Sequence, residues 1–188
     1  LFFFQKGLFR SHWTELILYE CIKNIEKNEP SLRDSIRKQE DIIREKFSEA
    51  WVTGFEHRIK DIQLDDLNDR HVLAAAIQCS AQYIVTENLG DFPREYLDQF
   101  GIEPMGSGSF LGMIYDHFPN EAHNVLLLVK ENYRNPPYNA SRFLELLNKN
   151  KMRELAERLN NNRNVPSTPK IIKSGSINVT KGSKGYET

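Results

Sequence analysis

The chain is short of the residues and patterns by which several protein classes are recognised. It has two cysteines among 188 residues, Cys21 and Cys79, with neither the pairing of a disulfide framework nor the spacing of metal ligands. Both fall inside apolar helical patterns and are expected as reduced core residues, in keeping with a cytoplasmic setting. A formal net charge of −1 gives no bulk attraction for nucleic acid, so any phosphate contact needs a local basic patch or a bound metal. No apolar run is long enough to cross a bilayer: Leu1 to Phe4 is too short even for a signal-peptide core, and the later run Val125 to Val129 is far too short to span. The only glycine-rich stretch, Gly106-Ser107-Gly108-Ser109, lacks the Walker and Rossmann spacings, which argues against a nucleotide cofactor. Nor do His12, His57, His71, His117 and His123 form a zinc pattern or pair with a nucleophile.

A hydrophobic fraction of 39% is enough for a sizeable core, and 27% charged residues indicates a soluble protein of one domain with a small helical appendage. Leu1 to Phe9 reads as the end of a helix that stops near Gly7. Thr14 is placed to cap a second helix whose buried stripe is Ile17, Leu18, Cys21, Ile22 and Ile25, with Glu20 on its border. Pro30-Ser31 starts a third helix, with Ser31 and Asp34 spaced as a capping box. A short strand is expected near Ile59 to Leu64. An acidic turn, Asp65-Asp66-Leu67-Asn68-Asp69, then leads into a helix over His71 to Ala81.

Tyr83-Ile84-Val85-Thr86 reads as a buried strand, Phe92-Pro93 as the start of a helix and Ile102 to Met105 as a final strand. Helix, strand, helix, strand in this order predicts a parallel α/β sheet. Helices follow over Glu121 to Tyr133, Ala140 to Leu147 and Lys151 to Leu159, the first stopped by Pro136-Pro137. From Asn160 the composition turns to Asn, Ser, Gly, Pro and Lys, a basic tail expected to be disordered.

The informative feature is where the carboxylates fall. Asp66 and Asp69 precede one helix, and Asp91 follows a buried strand, at the edge where ligand sites gather in open parallel sheets. Carboxylates converging there repel one another unless a cation lies between them. Hard oxygen donors favour Mg²⁺ or Mn²⁺ over zinc. Capping is the competing explanation: Asp66 or Asp69 for the helix that follows them, Asp91 for the helix at Phe92-Pro93. Glu20, taken alone, reads as a solvated rim residue. Periodicity does not separate these alternatives, because capping and metal binding want the same residue types in the same places.

Leu67-Asn68-Asp69-Arg70-His71-Val72-Leu73-Ala74-Ala75-Ala76, followed by Tyr83-Ile84-Val85-Thr86-Glu87-Asn88-Leu89-Gly90-Asp91-Phe92-Pro93, resembles the paired signature of PIN domains. Upstream, Gly7-Leu8-Phe9 and Trp13-Thr14-Glu15 to Glu20 resemble the family's second helical region. Downstream, Pro119 to Leu159 resembles the C-terminal helical extension of a VapC-like toxin branch. The resemblance implies a three-layer fold with a parallel sheet between helices, and a metal-dependent ribonuclease that is the toxin of a toxin–antitoxin pair. It implies catalytic and metal-holding roles for Glu20, Asp69 and Asp91, with Asp66 an extra acid. Thr86 and Asn88 would shape the strand-end turn that meets RNA, and Arg70 and His71 would lie near phosphate. The implied cofactor is Mg²⁺ or Mn²⁺, and the implied partners are RNA, a cognate antitoxin and a second copy of the chain, with no membrane.

The family's first acidic residue, at the end of a first central strand, has no counterpart among residues 1 to 13. The expectation is therefore a PIN-like domain over residues 1–110 without that strand, an extension over 111–159 and a tail over 160–188. Such a chain would be a weak or inactive nuclease as it stands, or else a non-catalytic relative that binds an antitoxin or itself. The coding sequence upstream of Leu1 separates the two.

Overall fold

Thr14 turns the chain into its first long helix. Its backbone is extended (φ −114°, ψ 162°) and its Oγ1 accepts the Ile17 N–H at 3.0 Å, which satisfies one of the donors that a helix start leaves over. This is the cap read from the sequence. In the computed structural model, which describes residues 2–134 and 137–161, the chain divides into two compact units, each discontinuous in sequence. One comprises Ser11–Ile84 and Gly90–Pro104; the other comprises Leu1–Arg10, Val85–Leu89 and Met105–Thr188.

In the first unit, α2 (Glu15–Asn28) buries less than its pattern promised. Leu18 is buried, Ile17 and Ile22 are half-buried, and Cys21 and Ile25 are exposed, so Cys21 is not a core cysteine. Pro30–Leu32 forms a 3-10 turn, and α3 (Arg33–Lys46) begins after Leu32 with no side-chain cap, so the expected Ser31–Asp34 capping box is not made. Arg44 near the end of α3 forks onto both oxygens of Glu15 at 2.7 and 2.8 Å, reaches Glu40 at 3.0 Å and lies 5.0 Å above the Trp51 ring. A single parallel bridge joins Trp13 to Trp51: the Trp13 N–H donates to Ala50 O and the Val52 N–H to Trp13 O, both at 2.8 Å.

Glu56–Asp61 is a 3-10 helix where the sequence reads as the start of a strand. Beyond it Ile62 and Leu64 are buried on either side of an exposed Gln63. α4 (Arg70–Gln78) is the innermost helix of this unit: Leu73, Ala74, Ala75 and Ala76 are 0 to 8% exposed and pack with Val52, Phe55, Ile62, Leu64, Ile84, Phe92, Leu97 and Ile102. Three consecutive alanines give a helix narrow enough to be enclosed on several sides. β1 (Tyr83–Val85) and β2 (Glu103–Met105) pair in parallel, with the Glu103 N–H on Gln82 O at 2.9 Å and the Thr86 N–H on Met105 O at 3.0 Å. The crossover between them carries α5 (Arg94–Leu97), and Leu97 is fully buried. The class is thus α/β, mostly helical with a small parallel sheet, and among the described residues that sheet has two strands.

The other unit contains α1 (Phe2–Gln5) and four later helices, α6 (Ser107–His117), α7 (Pro119–Glu131), α8 (Ala140–Lys149) and α9 (Arg153–Asn161). Its core includes Phe3, Phe4, Leu8, Phe110, Ile114, Val125, Leu126, Phe143, Leu147 and Leu155. α6 starts inside the Gly-Ser stretch, where the Glu87 carboxylate accepts both the Ser107 N–H at 3.1 Å and the Ser107 hydroxyl at 2.5 Å. Glycine there serves close packing: a Cβ on Gly108 would collide with the Lys151 carbonyl oxygen, and one on Gly112 would meet the Arg158 guanidinium at 3.0 Å. Arg158 in turn clasps both oxygens of Asp116 at 2.7 and 2.8 Å. Among the described residues no helix is long and apolar enough to cross a membrane. The expected disordered tail lies outside the described residues from position 162 onward.

Candidate metal centre

The acidic turn before α4 is shaped by its own side chains. The Oδ1 atom of Asp66 accepts the backbone N–H of Asn68 at 2.8 Å and its side-chain amide at 3.0 Å, a local Asx arrangement that holds the carboxylate in one orientation. The Asp69 N–H returns to Asp66 O at 3.3 Å, so the two acids share a turn. Arg70 closes the same loop from behind, with Nε and Nη2 donating to the Leu64 carbonyl at 3.0 and 2.8 Å.

Asp91 arrives from a 3-10 turn, Leu89–Asp91, beyond the end of β1. One oxygen from each of Asp66, Asp69 and Asp91 lies within 4.8 Å of the others. Capping, the competing explanation for these acids, does not describe what the structure shows. Asp69 stands at the N-cap position of α4, yet its carboxyl makes no capping bond and instead hydrogen-bonds to Asp91. The N-cap of α5 is Pro93, with no side-chain cap. Asp66 turns to Asn68 rather than to the helix.

The electrostatic result is plain at Asp69. Burial, then the charges of Asp66 and Asp91, then the hydrogen bond from Asp91, push its carboxyl up from 3.8 to about 6, against a smaller downward pull from His71. Like charges this close disfavour full ionisation, and a cation between them would remove the penalty. The donors are all hard carboxylate oxygens, which suit Mg²⁺ or Mn²⁺ and not a thiophilic metal.

Glu20 is not one of the three. Its Oε2 lies 3.2 Å from Nε2 of His71, in the first turn of α4, and the Glu20 side chain is 42% exposed. The structure therefore brings Asp66, Asp69 and Asp91 together, while Glu20 contacts His71, two residues after Asp69. That hydrogen bond had no signal in the sequence, because 51 residues separate the partners. Thr86 and Asn88 lie in the other unit, where the Thr86 Oγ1 accepts the Asn88 N–H at 3.1 Å in a short turn.

Over 79 residues the chain is 35% identical to a protein of Mycobacterium tuberculosis named "Putative ribonuclease VapC50", a match that covers 42% of this chain and 47% of that protein. The chain thus spans about half the length of the relative it matches. No family model matches it. No solved structure matches it either. The likeness supports a VapC-like family at the level of sequence.

Proposed function

We propose that this protein is a PIN-type, divalent-metal-dependent endoribonuclease, the toxin of a toxin–antitoxin pair, with Asp66, Asp69 and Asp91 as the residues that hold the metal. One observation carries the reading: three carboxylates from two separate segments converge within 4.8 Å, and none of them is explained by helix capping. The identity to a protein named as a ribonuclease adds to it. The full three-layer sheet of the resembled family, a cognate antitoxin and an RNA substrate belong to the same proposal.

Bound there, Mg²⁺ or Mn²⁺ would supply a Lewis acid for a phosphodiester oxygen and a water acidified for in-line attack. The chain's own residues do the rest. Asn68 keeps the Asp66 carboxylate from rotating away. Asp69, seated at the head of the most enclosed helix, fixes the position of the group relative to the core. Asp91 brings the second segment to the same point. Glu20 is kept as a catalytic carboxylate outside the trio, testable by alanine substitution read in kcat, and Arg70, Thr86 and Asn88 as RNA contacts, testable by alanine substitution read in KM.

The test is RNA cleavage by the intact gene product with Mn²⁺, wild type against Asp69→Asn. Loss of at least two orders of magnitude in the variant is expected. Equal cleavage by both proteins rejects the assignment, and no cleavage by either, with antitoxin binding retained, favours a binding protein instead.

A further inference from the structure

His71 is buried to 5% exposure, yet only one of its ring nitrogens is satisfied. Nε2 meets the Glu20 carboxylate at 3.2 Å, while Nδ1 is buried with no hydrogen-bond partner among the described residues. A carboxylate oxygen only accepts, so in this contact Nε2 carries a proton and donates it to Glu20. A buried polar group left half-paired destabilises a fold relative to an apolar side chain of similar size. The neighbouring helix positions are filled by Leu73 and three alanines, so a merely structural role would be met by a leucine or phenylalanine. What the imidazole adds is a fixed N–H aimed at a carboxylate from another helix, 51 residues upstream.

We infer that His71 is a positioning residue: its Nε2–H holds the Glu20 carboxylate beside the first turn of α4, so that Glu20 acts on an attacking water and not as a ligand of the metal held by Asp66, Asp69 and Asp91. This rests on the nuclease reading and adds to it a division of labour among four acids. The side chain that anchors Glu20 grows from the same helical turn that carries Asp69, which makes the placement of the two carboxylates one structural decision. Partners that orient groups at metal sites in this way typically change activity by about 10- to 100-fold when removed.

The experiment compares Glu20→Ala, His71→Leu, His71→Gln, the Glu20→Ala/His71→Leu double variant and Asp69→Asn in the intact protein. Cleavage kinetics are measured with Mn²⁺, Mn²⁺ affinity by calorimetry, and the His71 ring by ¹⁵N NMR. Expected are equal falls in kcat of about 10- to 100-fold for Glu20→Ala and His71→Leu with unchanged KM, and no further fall in the double variant. His71→Gln, whose amide nitrogen falls near the position of Nε2, recovers most of the loss. Mn²⁺ affinity stays within about threefold of wild type in all of these and collapses only in Asp69→Asn. The ring spectrum shows the Nε2-protonated tautomer, with an Nε2 signal displaced in Glu20→Ala. Losses that multiply in the double variant overturn the inference. So does Mn²⁺ affinity as weak in Glu20→Ala as in Asp69→Asn, or an Nδ1-protonated ring. Should His71→Leu not fold, His71→Gln and the ring spectrum still decide. Undiminished Mn²⁺ binding and cleavage in Asp69→Asn would instead sink the nuclease reading, while the Glu20-dependent ring signal would survive it.

Discussion

Replacing Asp69 by asparagine should make the metal-free protein more stable and the metal-loaded protein less so. The Asp69 carboxyl titrates near 6 where an ordinary aspartate titrates at 3.8, because burial and the charges of Asp66 and Asp91 oppose its ionisation. Its pKa in the folded state lies above the unfolded value, so the folded state binds the proton more tightly. Stability is then gained as pH falls from about 7 through 6 towards 4, and the penalty is fully present at pH 7.5. Two pH units correspond to about 3 kcal/mol at full strength, but the side chain is only partly buried, and solvent screening reduces this to about 1 kcal/mol. Asparagine keeps the shape and removes the charge. At pH 7.5 with chelator, Asp69→Asn should melt about 2–4 °C higher than wild type, and the gap should narrow as pH falls through 6 and close only towards pH 4. With Mn²⁺ at 100 times its dissociation constant, wild type gains about 2.7 kcal/mol and the variant almost nothing, so the order of melting temperatures reverses. Differential scanning fluorimetry across pH, with and without Mn²⁺, reads both effects. A variant that melts lower than wild type in chelator at pH 7.5, or a Mn²⁺ shift equal in both proteins, would refute the reasoning.

Four further outcomes follow from the packing. Leu73→Ala, at a position with no exposure, should lose about 2–5 kcal/mol in urea unfolding and release Mn²⁺ with the same midpoint. Thr14→Ala removes the cap on α2 and should lower stability by about 1 kcal/mol, measured the same way, with Mn²⁺ affinity unchanged. Gly108→Ala has no room beside the Lys151 carbonyl and should destabilise by at least about 2 kcal/mol, whereas Gly90→Ala, facing open space, should be near neutral in the same melt. Glu87 is held below its ordinary 4.5 chiefly by the Ser107 hydroxyl, so its contribution is present above pH 4.5 and lost as acid titrates the folded form; Glu87→Gln should flatten that acid limb of the melting curve.

What the sequence could tell depended on how far apart the interacting residues lie. Thr14, the strand at Tyr83–Val85, the parallel crossover and the placement of Asp69 and Asp91 at element ends are local signals, and all are visible in the residues themselves. The α2 stripe failed in part because periodicity gives the direction of an apolar face and not whether anything covers it: Cys21 and Ile25 follow the period and remain exposed. The Gly-Ser stretch at 106–109 carries no local helix signal, yet Ser107 starts α6, and Gly108 and Gly112 leave room for Lys151 and Arg158, contacts more than 40 residues distant. The strand expected at Ile59 to Leu64 met the same limit. Alternating burial survives at Ile62 and Leu64, but a strand needs a partner, and the extended segment that pairs here is Trp13 with Trp51. The Glu20–His71 contact is beyond any local reading.

The enclosure of α4 has a consequence for how such a centre would come apart. An ion gripped at the mouth of the least exposed helix is tied to the last segment to open, so fraying at the surface helices would leave it in place. Loss of the ion and loss of the native fold of that unit would coincide as one cooperative event, and amide exchange in residues 73–76 would slow in step with Mn²⁺ occupancy.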